Sequence, residues 1–251
     1  MTDTSIAYVH ARRVWDSRGR PTIEADILLE GGAVGRAIAP AGASTGSGEA
    51  LDLRDGGTAF GGYDVRKAID NVNTLIAHAV AGLDATDQEA VDERLIELDG
   101  TRNKTRLGAN ALLSVSMAAA HAAAAATDQP LYRYIGGVDA ALVPLPQIQI
   151  FGGGAHAGRR VDIQDFMVMC PAAESFAQAL DWTAEVYRAA GQLMAAKGSL
   201  SGIADEGGWW PAFASNEQAL DTLVAAIEKA GFKPGDQVGI ALDIAASAPP
   251  R

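Results

Sequence analysis

Residues 147–169 read Q-I-Q-I-F-G-G-G-A-H-A-G-R-R-V-D-I-Q-D-F-M-V-M. Two β-type runs, residues 147–151 and about 163–169, flank a loop that holds Gly152, Gly153, Gly154, His156, Gly158, Arg159 and Arg160. This stretch constrains the chain most. Glycines at such density let a loop bring its backbone close to a small ligand. If the runs pair as a hairpin, the first ends where the second begins. His156, Gln164 and Asp165 then share one face, and the arginines can meet an anion. A flexible hairpin with solvated charges fits this stretch, taken alone, equally well.

The regions on either side differ in kind. Upstream, Ile23, Ala25, Ile27 and Leu29 alternate with Thr22, Glu24, Asp26 and Leu28, close to period two, and D-S-R-G at 16–19 and Gly31-Gly32 read as turns. A-G-A-S-T-G at 41–46 is either a plain linker or a mobile lid whose Ser44 offers an oxygen to a cation. Helices follow. Val65, Ala68, Ile69, Val72, Leu75, Ile76 and Ala79 mark one apolar face. Thr86 with Glu89 reads as a capping box for a helix ending at Asp99-Gly100, and an alanine-rich helix runs from about Gly108 to near Pro130. Strands followed by helices predict an α+β domain over residues 1–140.

Beyond that point strands alternate with helices. A helix over 175–197 carries Phe176, Ala179, Leu180, Thr183, Val186, Tyr187, Ala190 and Met194 on one side. A short strand at 202–205, a helix capped by Ser215 with Gln218, and a strand at 238–244 complete the pattern. It predicts a β/α barrel or open α/β sheet over residues 141–251.

The net charge of −11 argues against broad binding to nucleic acid or anionic membrane. The single cysteine, Cys170, allows no internal disulfide and fits a reducing, cytoplasmic setting. The first residues show no basic start followed by an apolar run, so no signal peptide is expected. Residues 107–126 are apolar but interrupted by Asn110, Ser114, Ser116 and His121, which predicts a buried helix and no membrane span.

In β/α barrels the groups at the strand C-terminal ends face the active site. Glu206 in A-D-E-G-G and Asp243 in A-L-D-I-A occupy such places. Asp165 reaches the same mouth if its strand is reversed. Three carboxylates and His156 are therefore expected to converge. Oxygen ligands suit Mg²⁺, and a carboxyl that keeps its proton can act as a general acid.

The chain resembles enolase (phosphopyruvate hydratase) nearly end to end. The residues that carry the resemblance are D-S-R-G-R-P-T at 16–22, G-A-S-T-G at 42–46, E-L-D-G-T at 97–101, L-G-A-N-A at 107–111, L-Y-R-Y-I-G-G at 131–137, G-G-A-H-A at 153–157, D-E-G-G at 205–208 and A-L-D-I-A-A-S at 241–247. It implies an α+β N-terminal domain followed by a modified β/α barrel that opens with a hairpin. It also implies a homodimer that dehydrates 2-phosphoglycerate to phosphoenolpyruvate with Mg²⁺, in glycolysis or gluconeogenesis. By resemblance Glu206 assists departure of the hydroxyl, and Asp165 takes the place of a neighbouring catalytic glutamate. His156 falls on a lid histidine, Gln164 on a substrate-site glutamine, Asp243 on the first metal ligand, and Ser44 on the lid serine of a second metal.

Four positions depart from the family pattern. Asp165 is one methylene shorter than the usual glutamate, Gly152 replaces an asparagine, Gly48 stands for a lid histidine, and Trp209-Trp210 replace smaller residues. Length departs too. A β/α barrel takes about 250 residues by itself, as many as the whole chain has. Four barrel strands are expected, in an incomplete barrel. By the resemblance, the family's two other metal carboxylates, its proton-abstracting lysine and its phosphate-holding residues would fall beyond Arg251. The expectation is a truncated enolase, inactive or nearly so by itself. The alternatives are a paralogue acting on a related phospho- or phosphono-substrate, and a non-catalytic half-barrel remnant.

Overall fold

The computed structural model describes residues 3–42 and 45–245. The chain divides into two compact units. One comprises Met1–Gly42 with Gly48–Ala141, the other Ala43–Ser47 with Leu142–Arg251.

In the first unit, β1 (Ile6–Trp15), β2 (Pro21–Leu29) and β3 (Val34–Ile38) form an antiparallel sheet in that order. The period-two pattern of β2 places Ile23, Ala25, Ile27 and Leu29 in the core. On the opposite face Arg12 pairs with both Glu24 and Asp26. The D-S-R-G turn is held by Asp16, whose carboxylate accepts from the N–H groups of Arg18 and Arg20 at 2.9 and 2.8 Å. A helical run follows as α1 (Arg66–Asn71), a π-turn (Val72–Ile76) and α2 (Ala77–Val80). Next come α3 (Gln88–Asp99), α4 (Ala109–Ala126) and α5 (Leu131–Gly136).

The alanines of α4 let it approach the sheet closely. A Cβ at Gly35 on β3 would collide with the α4 backbone at Ala118 and Ala122. Among the described residues α4 is the one helix long and apolar enough to cross a membrane, but most of that span is buried within the protein. This is the pattern of a core helix. The start of α3 differs from expectation. Its cap is Asp87, which accepts from Ala90 N–H at 3.0 Å, while the Thr86 hydroxyl is turned back to Asp84 at 2.7 Å. Asp84 competes for Thr86, and the aspartate one residue on takes the cap.

The motifs E-L-D-G-T and L-G-A-N-A serve structure in this unit. Buried Asp99 accepts from Leu107 N–H at 2.7 Å and from both the N–H and the hydroxyl of Thr101. Asn110 binds both backbone groups of Leu53, accepting at 3.0 Å and donating at 3.2 Å.

The second unit contains β4 (Ile148–Gly152), β5 (Asp165–Met169), α6 (Phe176–Ala196), β6 (Leu200–Ile203), β7 (Trp209–Pro211), α7 (Asn216–Lys229) and β8 (Gly239–Asp243). The strand order is β6-β7-β4-β5-β8. β4 is antiparallel to β5 and parallel to β7, and β5 is antiparallel to β8. Among the described residues the sheet does not close. This is the first part of a barrel, with β6 and β8 as its edges. Phe151, Phe166, Val168, Val186, Met194 and Leu223 build its core.

Five strands stand where four were expected, because A-D-E-G-G is the turn of a hairpin and not the end of one strand. Gly207 N–H donates to Ala204 O at 3.0 Å, and Gly207 takes the left-handed φ of 96° that lets the chain reverse. The α6 stripe also needs correction. Ala179, Thr183, Val186, Ala190 and Met194 are buried, but Phe176 and Leu180 near its start are exposed. The cap at α7 forms as expected, with the return bond one residue before the cap. Gln218 N–H donates to Ser215 Oγ at 3.3 Å, and Ala214 N–H donates to Gln218 Oε1 at 2.7 Å.

Candidate active site

The reversed strand brings the site together. Antiparallel pairing sets Gly152, the last residue of β4, opposite Asp165, the first of β5, and Asp165 opposite Asp243, the last of β8. The loop between β4 and β5 folds back on itself through Gly153 N–H to Gln164 O at 2.7 Å and Gly154 N–H to Val161 O at 3.0 Å. Only glycine fits at 153, since a Cβ there would overlap the Ile163 carbonyl. A short 3₁₀ turn, Gly154–Ala157, then carries His156 inward.

The His156 side chain is wholly buried, with Nε2 3.6 Å from Glu206 Oε1. Neither ring nitrogen has a hydrogen-bond partner among the described residues. Glu206, on the β6–β7 turn, is half exposed at 48%. One ligand atom from each of His156, Asp165 and Glu206 lies within 4.8 Å of the other two. Asp165 is 5% exposed, and Gln149 and Gln164 hold it. Gln149 Nε2 donates to Asp165 Oδ1 and reaches Glu206 Oε2 at 3.4 Å. Gln164 Nε2 donates to Asp165 Oδ2 at 3.2 Å and reaches Asp243 Oδ2 at 3.4 Å.

The structure thus brings His156, Gln164, Asp165 and Glu206 together, with Asp243 at the rim joined through Gln164. Ser44 lies outside the described residues. Arg159 and Arg160 are exposed, and the Arg160 guanidinium donates to Ser201 Oγ at 3.3 Å. Cys170 takes no part. Burial pushes its thiol pKa up, partly offset by the Thr183 hydroxyl, so it stays protonated behind α6.

Gln149 was not among the expected site residues. Besides its two carboxylate contacts, its Oε1 accepts from Gly208 N–H at 2.8 Å, tying the β6–β7 turn to β4. Its signal was present in Q-I-Q-I-F, where alternation sets Gln149 on the face opposite Ile148 and Ile150.

Two of the unusual positions have packing causes. Trp209 lies across Gly191 of α6, where a Cβ would stand 2.6 Å from the indole. Its ring stacks on Tyr187 at 4.5 Å between centroids, and its N–H donates to Tyr187 O at 2.8 Å. A Cβ at Gly152 would overlap Ala204 in the hairpin, so no larger residue fits there. Asp165 is the departure that falls on the chemical groups themselves.

Two protein families match the chain in sequence. The family described as "Enolase, N-terminal domain" matches residues 6–135, and that described as "Enolase, C-terminal TIM barrel domain" matches residues 140–249.

Proposed function

The chain belongs to the enolase family, and on that premise we propose that it carries the acid–base side of an enolase-type lyase site, dehydrating 2-phosphoglycerate to phosphoenolpyruvate. The observation behind this reading is the meeting of His156, Asp165 and Glu206 within 4.8 Å at the edge of a glycine-built loop. In this reading Glu206, half exposed and facing His156 across 3.6 Å, gives a proton to the departing hydroxyl. Asp165 sets the charge beside it, and Gln149 and Gln164 fix the orientation of both carboxylates. The substrate is a small phosphorylated acid, the setting is cytoplasmic glycolysis or gluconeogenesis, and the working form is a homodimer.

The Mg²⁺ that the family uses is not fitted by these residues alone. Mg²⁺ takes octahedral oxygen ligands and is held through carboxylates together with substrate oxygens. Asp243, exposed and in reach of Gln164, offers one carboxylate at the position the resemblance gives to a metal ligand. Nor do Lys229 and Lys233 stand ready to take the proton at carbon 2. Lys229 ends α7 and Lys233 pairs with Asp236 at 3.1 Å, both by the start of β8, the end away from Asp243. General-base catalysis is worth about 10²–10⁴-fold, and electrostatic stabilisation is often the larger effect. These 251 residues by themselves are therefore expected to turn over little or no 2-phosphoglycerate.

The test follows phosphoenolpyruvate absorbance with purified chain, 2-phosphoglycerate and Mg²⁺, using Glu206→Gln to expose contaminating enolase. Turnover at ordinary enzyme rates that disappears in Glu206→Gln would mean that a second chain supplies the missing groups. Asp165 favours a second reading, a paralogue for a related phospho- or phosphono-substrate. Ligand-detected NMR comparing 2-phosphoglycerate with a phosphonate analogue separates the two readings.

A further inference from the structure

We infer that His156, Asp165 and Glu206 form a binding site for a zinc-class divalent cation, separate from the oxygen-ligand position at Asp243. The inference does not depend on the lyase reading: a carboxylate that holds a metal carries no proton to give, so zinc here would take the place of the acid–base role of Glu206.

Its first support is the donor set. One imidazole and two carboxylates converge with their ligand atoms within 4.8 Å of one another. Donors on a tetrahedral metal, each at ~2.1 Å, stand roughly 3.4 Å apart. His156 Nε2 and Glu206 Oε1, at 3.6 Å, are already near that spacing. Glu206 is the half-exposed member of the three, on a glycine-closed turn.

The second support is independent of that convergence. The His156 ring is wholly buried, and among the described residues neither of its nitrogens has a hydrogen-bond partner. Buried polar groups in native proteins are almost always satisfied, and an unsatisfied one calls for a particular explanation, such as an ion. A cation held by Nε2 and facing the two carboxylates satisfies that nitrogen and offsets their mutual repulsion.

The surroundings of the carboxylates match what a metal site needs. Gln149 and Gln164 donate to Asp165, Gln149 also reaches Glu206, and Gly208 N–H fixes Gln149 in turn. Such outer hydrogen bonds orient ligating groups. An imidazole donor selects zinc-class ions over Mg²⁺, which prefers oxygen.

The experiment is calorimetric titration of the untagged 251-residue chain with zinc chloride, and separately with magnesium chloride. The expected result is one zinc per chain, bound at least roughly 100-fold more tightly than Mg²⁺. Glu206→Gln and His156→Ala should each weaken zinc by at least about 10-fold, the lower bound for disturbing even an outer ligand. Asp243→Asn, which touches the site only through Gln164, should weaken zinc less than Glu206→Gln does. Circular dichroism checks folding, and Glu206→Gln, at a half-exposed turn position, keeps the test open if His156→Ala does not fold. X-ray absorption at the zinc edge should show one imidazole with oxygen neighbours. Absence of zinc binding by the wild-type chain, zinc binding unaffected by Glu206→Gln, or equal loss on Asp243→Asn would each overturn the proposal.

Discussion

Gln149 spans the room between Asp165, Glu206 and the backbone of Gly208. Its reach matches the short side chain of Asp165, since a longer acid would occupy space that Gln149 fills. Asp165→Glu is expected to destabilise the second unit by about 1–3 kcal/mol through overpacking. Shortening the partner as Gln149→Asn should recover part of that loss, so a double-mutant cycle in urea should show coupling between the two positions. Asp99 in the first unit has a different role. Burial pushes its carboxyl pKa up, but hydrogen bonds from Thr101 and Leu107, with Lys104 nearby, outweigh burial and hold it below the ordinary value. A carboxyl lowered in the folded state contributes stability that is full above its unfolded pKa and is lost as pH falls through the folded pKa. Urea midpoints should therefore drop in acid, and Asp99→Asn should flatten that drop while lowering stability near neutral pH by about 1–3 kcal/mol. The sequence showed that Asp99 ends a helix. It could not show that the same carboxylate also holds Leu107, because that bond depends on how the chain returns.

At the scale of elements, local chemistry predicted what local chemistry decides. The α7 box formed as the Ser215–Gln218 spacing requires, and α6 has the same arrangement in Ser175 and Gln178, with Gln178 N–H to Ser175 Oγ at 3.2 Å and Glu174 N–H to Gln178 Oε1 at 2.6 Å. Ser215→Ala and Ser175→Ala should each cost about 1 kcal/mol in thermal or urea unfolding. Where two local signals competed, spacing alone did not choose between them, as at Thr86 and Asp87. The β6–β7 hairpin was missed for another reason. Trp209 and Trp210 follow directly on two glycines and read only as large residues where the family pattern has smaller ones. They belong to a strand because Trp209 fills the notch at Gly191, and that notch exists only once α6 packs against the sheet. Reversal of β5 was legible from the hairpin reading, and it brought Asp165 to Gly152 and Asp243 as expected.

For the molecule as a whole, the open sheet has the largest consequence. Within the described residues β6 and β8 are edges, and Ile203, Leu242 and Ile244 beside them are exposed. Free strand edges with apolar neighbours recruit further chains. Analytical ultracentrifugation at micromolar concentration is expected to show self-association, accompanied by binding of an exposed-surface dye. A clean monomer that leaves the dye dark would contradict this. Mg²⁺ alone should bind weakly, because Asp243 offers one carboxylate and Mg²⁺ releases its waters reluctantly. Calorimetry showing a tight stoichiometric Mg²⁺ site would contradict that. The openness of the sheet was legible from length, since about 250 residues are needed for a full barrel.

The stacking of Trp209 on Tyr187 gives the molecule its own optical gauge. The indole is fixed by its hydrogen bond to Tyr187 O, and the Tyr187 hydroxyl donates to Gly207 O at 2.9 Å on the turn that carries Glu206. Any shift of that turn must disturb the stack, so intrinsic emission, with the other three tryptophans replaced by phenylalanine, would report displacement at the carboxylate without a label.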